Sequence, residues 1–317
     1  MNKAEEYFFI VNERAGIGKK HSIWKQDLKP ELLRRGIHFR IYVCSHPGHA
    51  TELVQKILAE HDGAVTLVVV GGDGTFNEAL NGIDDFSRVT IGFIPTGSAN
   101  DLGYSLGISS QPLTALEQML QSKNEHFMDI GETLFHKTGE VRRFAISSGI
   151  GLDAEVCALV SNGRLKALLN RLHLGKLVYF ANAIRIVFSQ PLAEGKLIFT
   201  DEEGKQTERM IHRLYFLAGM NQRFEGGHLA MAPSAESDDG LLSFAMAHSL
   251  TRMQALISLG LLALRLHERI NGYEVVHAKS CHIMLKNPLE VHTDGEVHDR
   301  HWDITVTCLP HRLKILY

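Results

Sequence analysis

Residues 64–83, AVTLVVVGGDGTFNEALNGI, set a short run of apolar and β-branched residues directly before three glycines and a carboxylate. A run this short and this rich in valine predicts a strand buried on both faces. Behind the glycine turn, residues 75–83 take up helical spacing. A strand that passes through a tight turn into a helix has to cross back to a parallel neighbour, and this limits the chain to a layered α/β arrangement. The same unit recurs through the first 130 residues. YFFIVN (7–12) precedes a helical pattern over 22–36, HFRIYVC (38–44) precedes another over 49–61, and VTIGFIP (89–95) supplies a further strand. The spacing predicts a parallel sheet with helices on its faces.

The rhythm changes near residue 132. ETLFHKTGEVRRFAISSG reads as two strands around a KTGE turn, and GKLIFTDEEGKQTERMIHRLYFLAGM repeats the form around DEEGK. LLSFAMA and CHIMLKN add strands, and residues 156–188 read as helical. Hairpins with few helices predict a mostly antiparallel second domain. The expected division is 1–132 for the α/β domain and 133–304 for the second, with a tail from about 305 to 317 able to pack back on the first. At 317 residues the chain is long enough for two cores.

A formal charge of −3 gives no global attraction to nucleic acid, so an anion site must be local and no nucleic-acid partner is expected. Cys44, Cys157, Cys281 and Cys308 lie far apart, which suits a reduced, cytoplasmic chain. The N-terminal residues lack the pattern of a signal peptide. The most apolar later stretch, MQALISLGLLALRLH (253–267), is too short and too polar to span a bilayer and predicts a helix on a core.

Three small-residue loops follow three predicted strands: NERAGIGKK (12–20), GGDGTFNEAL (71–80) and the TGSAND turn within GFIPTGSANDLGYSLGI (92–108). Glycines let backbone approach a ligand closely, and a helix N-terminus favours an anion. The carboxyl ends of parallel strands are where an open sheet binds ligands, so the three loops point to a nucleotide site. Taken singly, GGDGT also permits a plainer reading. Thr75-x-x-Glu78 fits a capping box, with Asp73 as a turn residue. The Walker pattern and the dinucleotide G-x-G-x-x-G are both absent.

GGDGTFNEALNGI, IPTGSANDLGYSLGI, DIG (129–131), GIGLDAEV (149–156), APSAESDDGLLSF (232–244) and TDGEV (293–297) occur in the order seen in the diacylglycerol kinase catalytic family, which this chain resembles from Val11 to Val297. GGDGT by itself is shared with NAD kinases and 6-phosphofructokinases; the Ser-x-Asn-Asp loop and the late DGE are more specific. The resemblance implies a bacterial lipid kinase with an α/β nucleotide-binding domain, a β-sandwich domain, and ATP and acceptor meeting in the cleft. It places Asn12, Glu13, Arg14, Ala15, Gly16, Cys44, Gly72, Asp73, Gly74, Thr75, Phe76, Asn77, Glu78 and Ser98 at ATP. It assigns Asp73, Asp101 and Asp129 to a water-mediated magnesium site. It puts the general base on the DGE turn, at Asp294 with Glu296 beside it. It also implies a second, structural metal held by Asp239 with main-chain oxygens of Glu236 and Leu241, where spacing alone reads as an ordinary turn.

The chain departs from the family pattern in places. Cys44 stands where many members have threonine, Glu13 replaces the proline of N-P-x-x-G, and Ser98 and Ala99 are milder changes. Glu13 beside a triphosphate would be repulsive unless it points outward. The residue types suit phosphoryl transfer, which needs positioning, oxygen donors for magnesium and a carboxylate for the alcohol proton. Asp294 and Glu296, two apart in an extended segment, would face the same way.

Residues 161–188 mix five basic residues with leucines. They predict either peripheral contact with an anionic membrane or a helix covering the sandwich. His292, His298 and His301 form no standard zinc spacing and read as surface or packing histidines. A lipid substrate, ATP and magnesium are the expected ligands, and a homodimer is compatible with them. The rival readings are a kinase of a soluble alcohol such as NAD, and a nucleotide-sensing regulator that has lost catalysis.

Overall fold

In a computed structural model of the chain, the residues described are 6–15, 22–122, 126–161, 184–189 and 191–317. The chain forms two compact units, Met1–Met128 with His311–Tyr317, and Asp129–Pro310.

The first unit carries β1 (Glu6–Val11), α1 (Lys29–Arg34), β2 (His38–Val43), α2 (His49–Glu60), β3 (Val65–Gly71), α3 (Asp73–Asn81), β4 (Val89–Pro95), α4 (Asp101–Ser105) and α5 (Pro112–Gln121). Its strands are all parallel, in the order β4-β3-β1-β2, and Lys314–Leu316 adds a parallel strand beside β4. β3 and β4 are buried along nearly their whole length, as the continuous apolar runs require, whereas β2 is a half-exposed edge. The register fixes where the loops emerge. Val65 pairs with Val89 and Gly71 with Pro95, so the turns after β3 and β4 leave the sheet side by side. Val11 pairs with Val70 and the Asn12 N–H donates to the Val70 carbonyl at 2.9 Å, which brings the first loop to the same edge.

The second unit contains β5 (His126–Phe135, entering from the first unit), β6 (Glu140–Phe144), β7 (Ser147–Gly151), α6 (Leu152–Ser161), β8 (Ala193–Thr200), β9 (Gln206–Leu214), β10 (Phe216–Met220), β11 (Leu242–Ala247), α7 (Arg252–Ala263), β12 (Tyr273–Ala278), β13 (Ser280–Thr293) and β14 (Glu296–Leu316), whose last residues are the strand beside β4. Adjacent strands run antiparallel in the order β12-β11-β10-β7-β13-β14. β13 serves two neighbours: its first half pairs with β8, and after an irregularity between Met284 and Val291 its end pairs with β7. Phe135, Phe144, Leu197, Phe199, Phe244 and Ile283 belong to the buried core of this β unit. A second apolar cluster includes Leu152 and Val156 of α6, Ala255 of α7, and Tyr215, Phe216 and Tyr273. α7 opens on a capping box between Thr251 and Gln254 and takes in residues 253–263 of the apolar 253–267 stretch. Among the described residues no helix is long and apolar enough to cross a membrane.

The turns after β3 and β4 approach so closely that side chains have no room. A Cβ on Gly97 would lie 2.6 Å from the Gly72 Cα, and one on Gly71 would lie 2.6 Å from the Thr75 Cβ. Backbone cannot yield as a flexible side chain can, so Gly97→Ala is expected to cost about 1–3 kcal/mol. Gly74, inside α3, has nothing within 4 Å of its Cβ position. Gly74→Ala is expected to be neutral or to stabilise by up to about 1 kcal/mol through helix propensity. Urea unfolding of the two variants checks the contrast.

Candidate active site

In the first unit, Asp73 is the first residue of α3, and its carboxylate reaches the start of α4. Oδ2 accepts from the Asp101 N–H at 3.0 Å and Oδ1 from the Leu102 N–H at 3.3 Å. A carboxylate at these N–H groups meets the positive end of the local dipole. Asp101 is itself buried, and Asn100 before it sits in the left-handed region at φ 55°. The Thr96 N–H donates to the Gly71 carbonyl at 2.7 Å, which ties the two turns a second time.

The first loop joins through Asn12, whose Nδ2 donates to Thr75 Oγ1 at 2.9 Å while its Oδ1 accepts from the Arg14 N–H at 3.0 Å. Glu13 is turned to Ser22 and Lys25, with Ser22 Oγ donating at 2.8 Å and Lys25 Nζ at 3.1 Å. Those two hydrogen bonds hold its carboxyl below the usual range, so its charge is already matched within the chain. Ala15 N–H donates to the Asn12 carbonyl at 3.1 Å. Gly16 lies outside the described residues.

The capping box is not formed. α3 starts at Asp73, two residues earlier than the spacing predicts, so Thr75 is a buried residue of the helix bonded to Asn12. Glu78 instead serves the next helix over: its Oε2 accepts from the Ala50 N–H at 3.2 Å, in the first turn of α2. Gly48 caps α2 at φ 81°, a conformation only glycine takes without strain. Cys44, just ahead of this turn, is half-buried; burial first, then the Glu78 charge, pushes its thiol to about 11, so it stays protonated at neutral pH. Phe76 and Asn77 face inward with Thr75, and Ser98 is exposed on the second turn.

The second unit gathers its own acids. Asp294 and Gly295 are the two residues of a hairpin turn between Thr293 and Glu296, with φ 49° and 80°. Both angles are positive, as a type I′ turn requires, and Asp-Gly is the dipeptide that supplies it. The extended geometry expected for Asp294 and Glu296 is therefore replaced by a turn. The Asp294 carboxylate accepts three main-chain N–H groups, from Ala145 at 2.9 Å, Ile146 at 2.8 Å and Ser147 at 3.0 Å. Glu296 is exposed at the start of β14.

Asp129 is fully buried and its Oδ2 accepts from the Gly240 N–H at 2.6 Å. Asn221, unremarked in the sequence, ties the two acids together. Its Nδ2 donates to the Asp129 carbonyl at 2.8 Å and to the Ala145 carbonyl at 2.9 Å, next to the amides that hold Asp294. Asp239 Oδ1 accepts from the Leu241 N–H at 2.9 Å, and Glu236 lies 4.0 Å from Arg223. The Asp239 bond is local to the turn that leads into β11.

His292 is fully buried behind the Asp294 turn. Its Nε2 lies 3.2 Å from Asp153 and 3.3 Å from Glu225, and its Nδ1 is 3.2 Å from the Gly295 N–H. Gly149 makes room for the group, since a Cβ there would overlap Asp153 and His292. Glu225 carries no motif, so only the glycine spacing of GIGLD hinted at this cluster. His298 pairs across the strands with Val291 and His292 with Val297, so the two histidines face opposite ways. His298 bonds Thr293 Oγ1 and His301 packs on Phe135. His298 and His301 are packing histidines, whereas His292 is the buried member of an ion-pair cluster.

Burial opposes charge on His292, but Glu225, then Asp153 and Asp294, outweigh it and push its pKa to about 9. Because this lies above the unfolded value of about 6.5, the stabilisation is complete below pH 6.5 and is lost as pH rises through 9. A shift of that size amounts to about 3 kcal/mol. Urea unfolding from pH 6 to 9.5 is expected to show this loss in the native chain and a flatter profile in His292→Gln.

Comparison with known proteins fits this arrangement. Residues 6–133 match the family model described as the diacylglycerol kinase catalytic domain, and residues 146–317 match that of the YegS C-terminal NAD kinase beta sandwich-like domain. YtlR of Bacillus subtilis (strain 168), named as a lipid kinase, is 27% identical over 295 residues, covering 92% of this chain and 93% of that protein. A diacylglycerol kinase of Staphylococcus haemolyticus is 25% identical over 279 residues, covering 85% and 76%. The crystal structure of a diacylglycerol kinase from Bacillus anthracis shares the fold with a TM-score of 0.72 at 24% identity, over 100% of this chain and 98% of that one. Glycine turns, buried aspartates and matched models together place the chain in the diacylglycerol kinase catalytic family, among lipid kinases whose C-terminal half is the YegS-type β-sandwich.

Proposed function

We propose that this chain transfers the γ-phosphoryl group of ATP, with magnesium, to the hydroxyl of a diacylglycerol-like lipid. The observation that carries the nucleotide reading is the mutual bonding of three small-residue loops at the carboxyl ends of β1, β3 and β4, with Asp73 spanning two of them. Main-chain N–H groups of such turns and the N-terminus of α3 are suited to phosphate oxygens. Residues 12–15, Cys44, 72–78 and Ser98 supply this surface. Asp73 and Asp101 of the first unit offer oxygen donors of the kind magnesium prefers, and would hold it through water; Asp129 of the second unit offers a donor of the same kind. Magnesium, when bound, neutralises charge on the phosphates.

Asp294 is the candidate base. Three amides fix its carboxylate, and a base must be held in place to share the proton of an alcohol. Glu296, exposed two residues further along, orients the acceptor. A greasy acceptor is supported by the apolar character of a small recess in the second unit lined by Leu152, Val187, Tyr215, Phe216, Leu259 and Leu262. Because a diacylglycerol-like substrate resides in a bilayer, peripheral contact of a cytoplasmic protein with the membrane belongs to the same proposal. Residues 162–183, the centre of the basic leucine-rich stretch, lie outside the described residues.

The test is phosphate transfer from labelled ATP to diacylglycerol in mixed vesicles, with NAD offered in parallel. Lipid phosphorylation that needs magnesium supports the reading; phosphorylation of NAD alone would transfer it to a soluble alcohol. Asp294→Asn is expected to lower kcat by about 100-fold or more with ATP affinity nearly unchanged, and Glu296→Gln to lower it less. Asp73→Asn is expected to abolish turnover while the circular dichroism spectrum stays native. Sedimentation with anionic vesicles at low salt and release at high salt is the expected membrane behaviour, since salt screens exposed charge.

A further inference from the structure

The chain has 18 histidines, and two of them converge on one carboxylate away from the residues discussed above. β13 and β14 pair His282 with Thr305 and Met284 with Asp303. The alternation of a strand therefore puts His282, Asp303 and Thr305 on one face, while Cys281, Ile283, Ile304 and Val306 are buried on the other. His136, the residue after β5, is pinned beside them, because its N–H donates to the Asp303 carbonyl at 3.2 Å. His282 Nε2 lies 2.7 Å from Asp303 Oδ1, and His136 Nε2 lies 3.9 Å from the same oxygen. Thr305 Oγ1 is 2.9 Å from His136 Nε2, and the two rings are 4.9 Å apart. The three donor atoms all fall within 4.8 Å of one another.

We propose that His136, His282 and Asp303 bind a borderline divalent transition metal, with zinc the best match. A tetrahedral zinc ion with bonds of about 2.0–2.1 Å places its ligands about 3.3 Å apart, between the 2.7 and 3.9 Å separations seen here. All three side chains are about one-third exposed, so they can make this small adjustment, and water can complete the shell. Two nitrogens and one oxygen favour zinc over magnesium or calcium, which take oxygen. The ion would staple the turn after β5 to the β13–β14 pair. Lys137, the nearest cation in sequence, is directed over the Trp302 ring at 5.4 Å.

The test uses zinc alone, titrated into the full chain against a chromophoric chelator with magnesium in excess. One equivalent is expected to bind and to raise Tm, because a ligand bound only to the folded state stabilises it. His136→Gln and His282→Gln are each expected to weaken binding at least about tenfold, the loss typical of a damaged metal shell. His46→Gln and His49→Gln, from an exposed His-His-Glu group with Glu52 at the start of α2, are expected to change nothing. Cobalt in the native chain is expected to give visible absorption bands of a histidine-bound ion. Equal zinc affinity in all variants, a loss that follows His46 and His49, or cobalt bands identical in His282→Gln would each overturn the proposal. None of these outcomes depends on kinase turnover.

Discussion

The contact on which the first unit depends is between two stretches of bare backbone. Gly72 and Gly97 meet so closely that a Cβ on Gly97 would lie 2.6 Å, and one on Gly72 3.1 Å, from the other's Cα, at turns that the β3–β4 register has brought level. Only at that separation can the Asp73 carboxylate cross from one turn to the N–H groups that open α4. Asn12 then fastens the first loop to Thr75, and Glu78 fastens α3 to the start of α2. Every one of these bonds joins residues far apart in sequence, so the loops form a single object whose shape is set by the sheet beneath them. Small residues recur there because a larger one would separate the loops and leave their polar groups unpaired.

The second unit solves a related problem by different means. Its acids are gripped by main-chain amides: Asp294 by three consecutive N–H groups and Asp129 by the Gly240 N–H. Asn221 links the two grips through a pair of carbonyls. Behind the Asp294 turn, a buried imidazole between two carboxylates holds charge in the interior, which is tolerable only because each member is paired. The unit thus holds these acids within connected hydrogen-bonded sets rather than singly.

The histidines show how one residue type divides by position. His292 is an interior cation, His298 is pushed to about 4 chiefly by burial and packs beside Phe135, and His136 and His282 stand at the surface around Asp303. Their sequence spacing distinguishes none of these. The grouping H-x5-H-x2-H drew attention to the three histidines that do not converge, because strand pairing sends His292 and His298 to opposite faces.

By itself the sequence determined the elements and the type of each half. Continuous valine-rich runs can only be strands covered on both faces, and the strand-glycine-helix order forces parallel pairing. The Asp-Gly of TDGEV specified its hairpin turn, and the order of the glycine and aspartate motifs identified the family. Tertiary structure decided what the polar side chains do. Thr75 and Glu78 have the spacing of a local cap, yet the loop from β1 and the start of α2 offer partners that the local backbone does not, and these win. Asp294 and Glu296 have the spacing to share one face of an extended segment, yet the hairpin places them on a turn, with Asp294 held by amides of residues 145–147 and Glu296 exposed. Glu225, Asn221, and the convergence of His136 with His282 and Asp303 were invisible for the same reason. Backbone preference is a local property that the sequence carries openly, whereas a hydrogen bond is chosen by whichever groups the fold brings within about 3 Å.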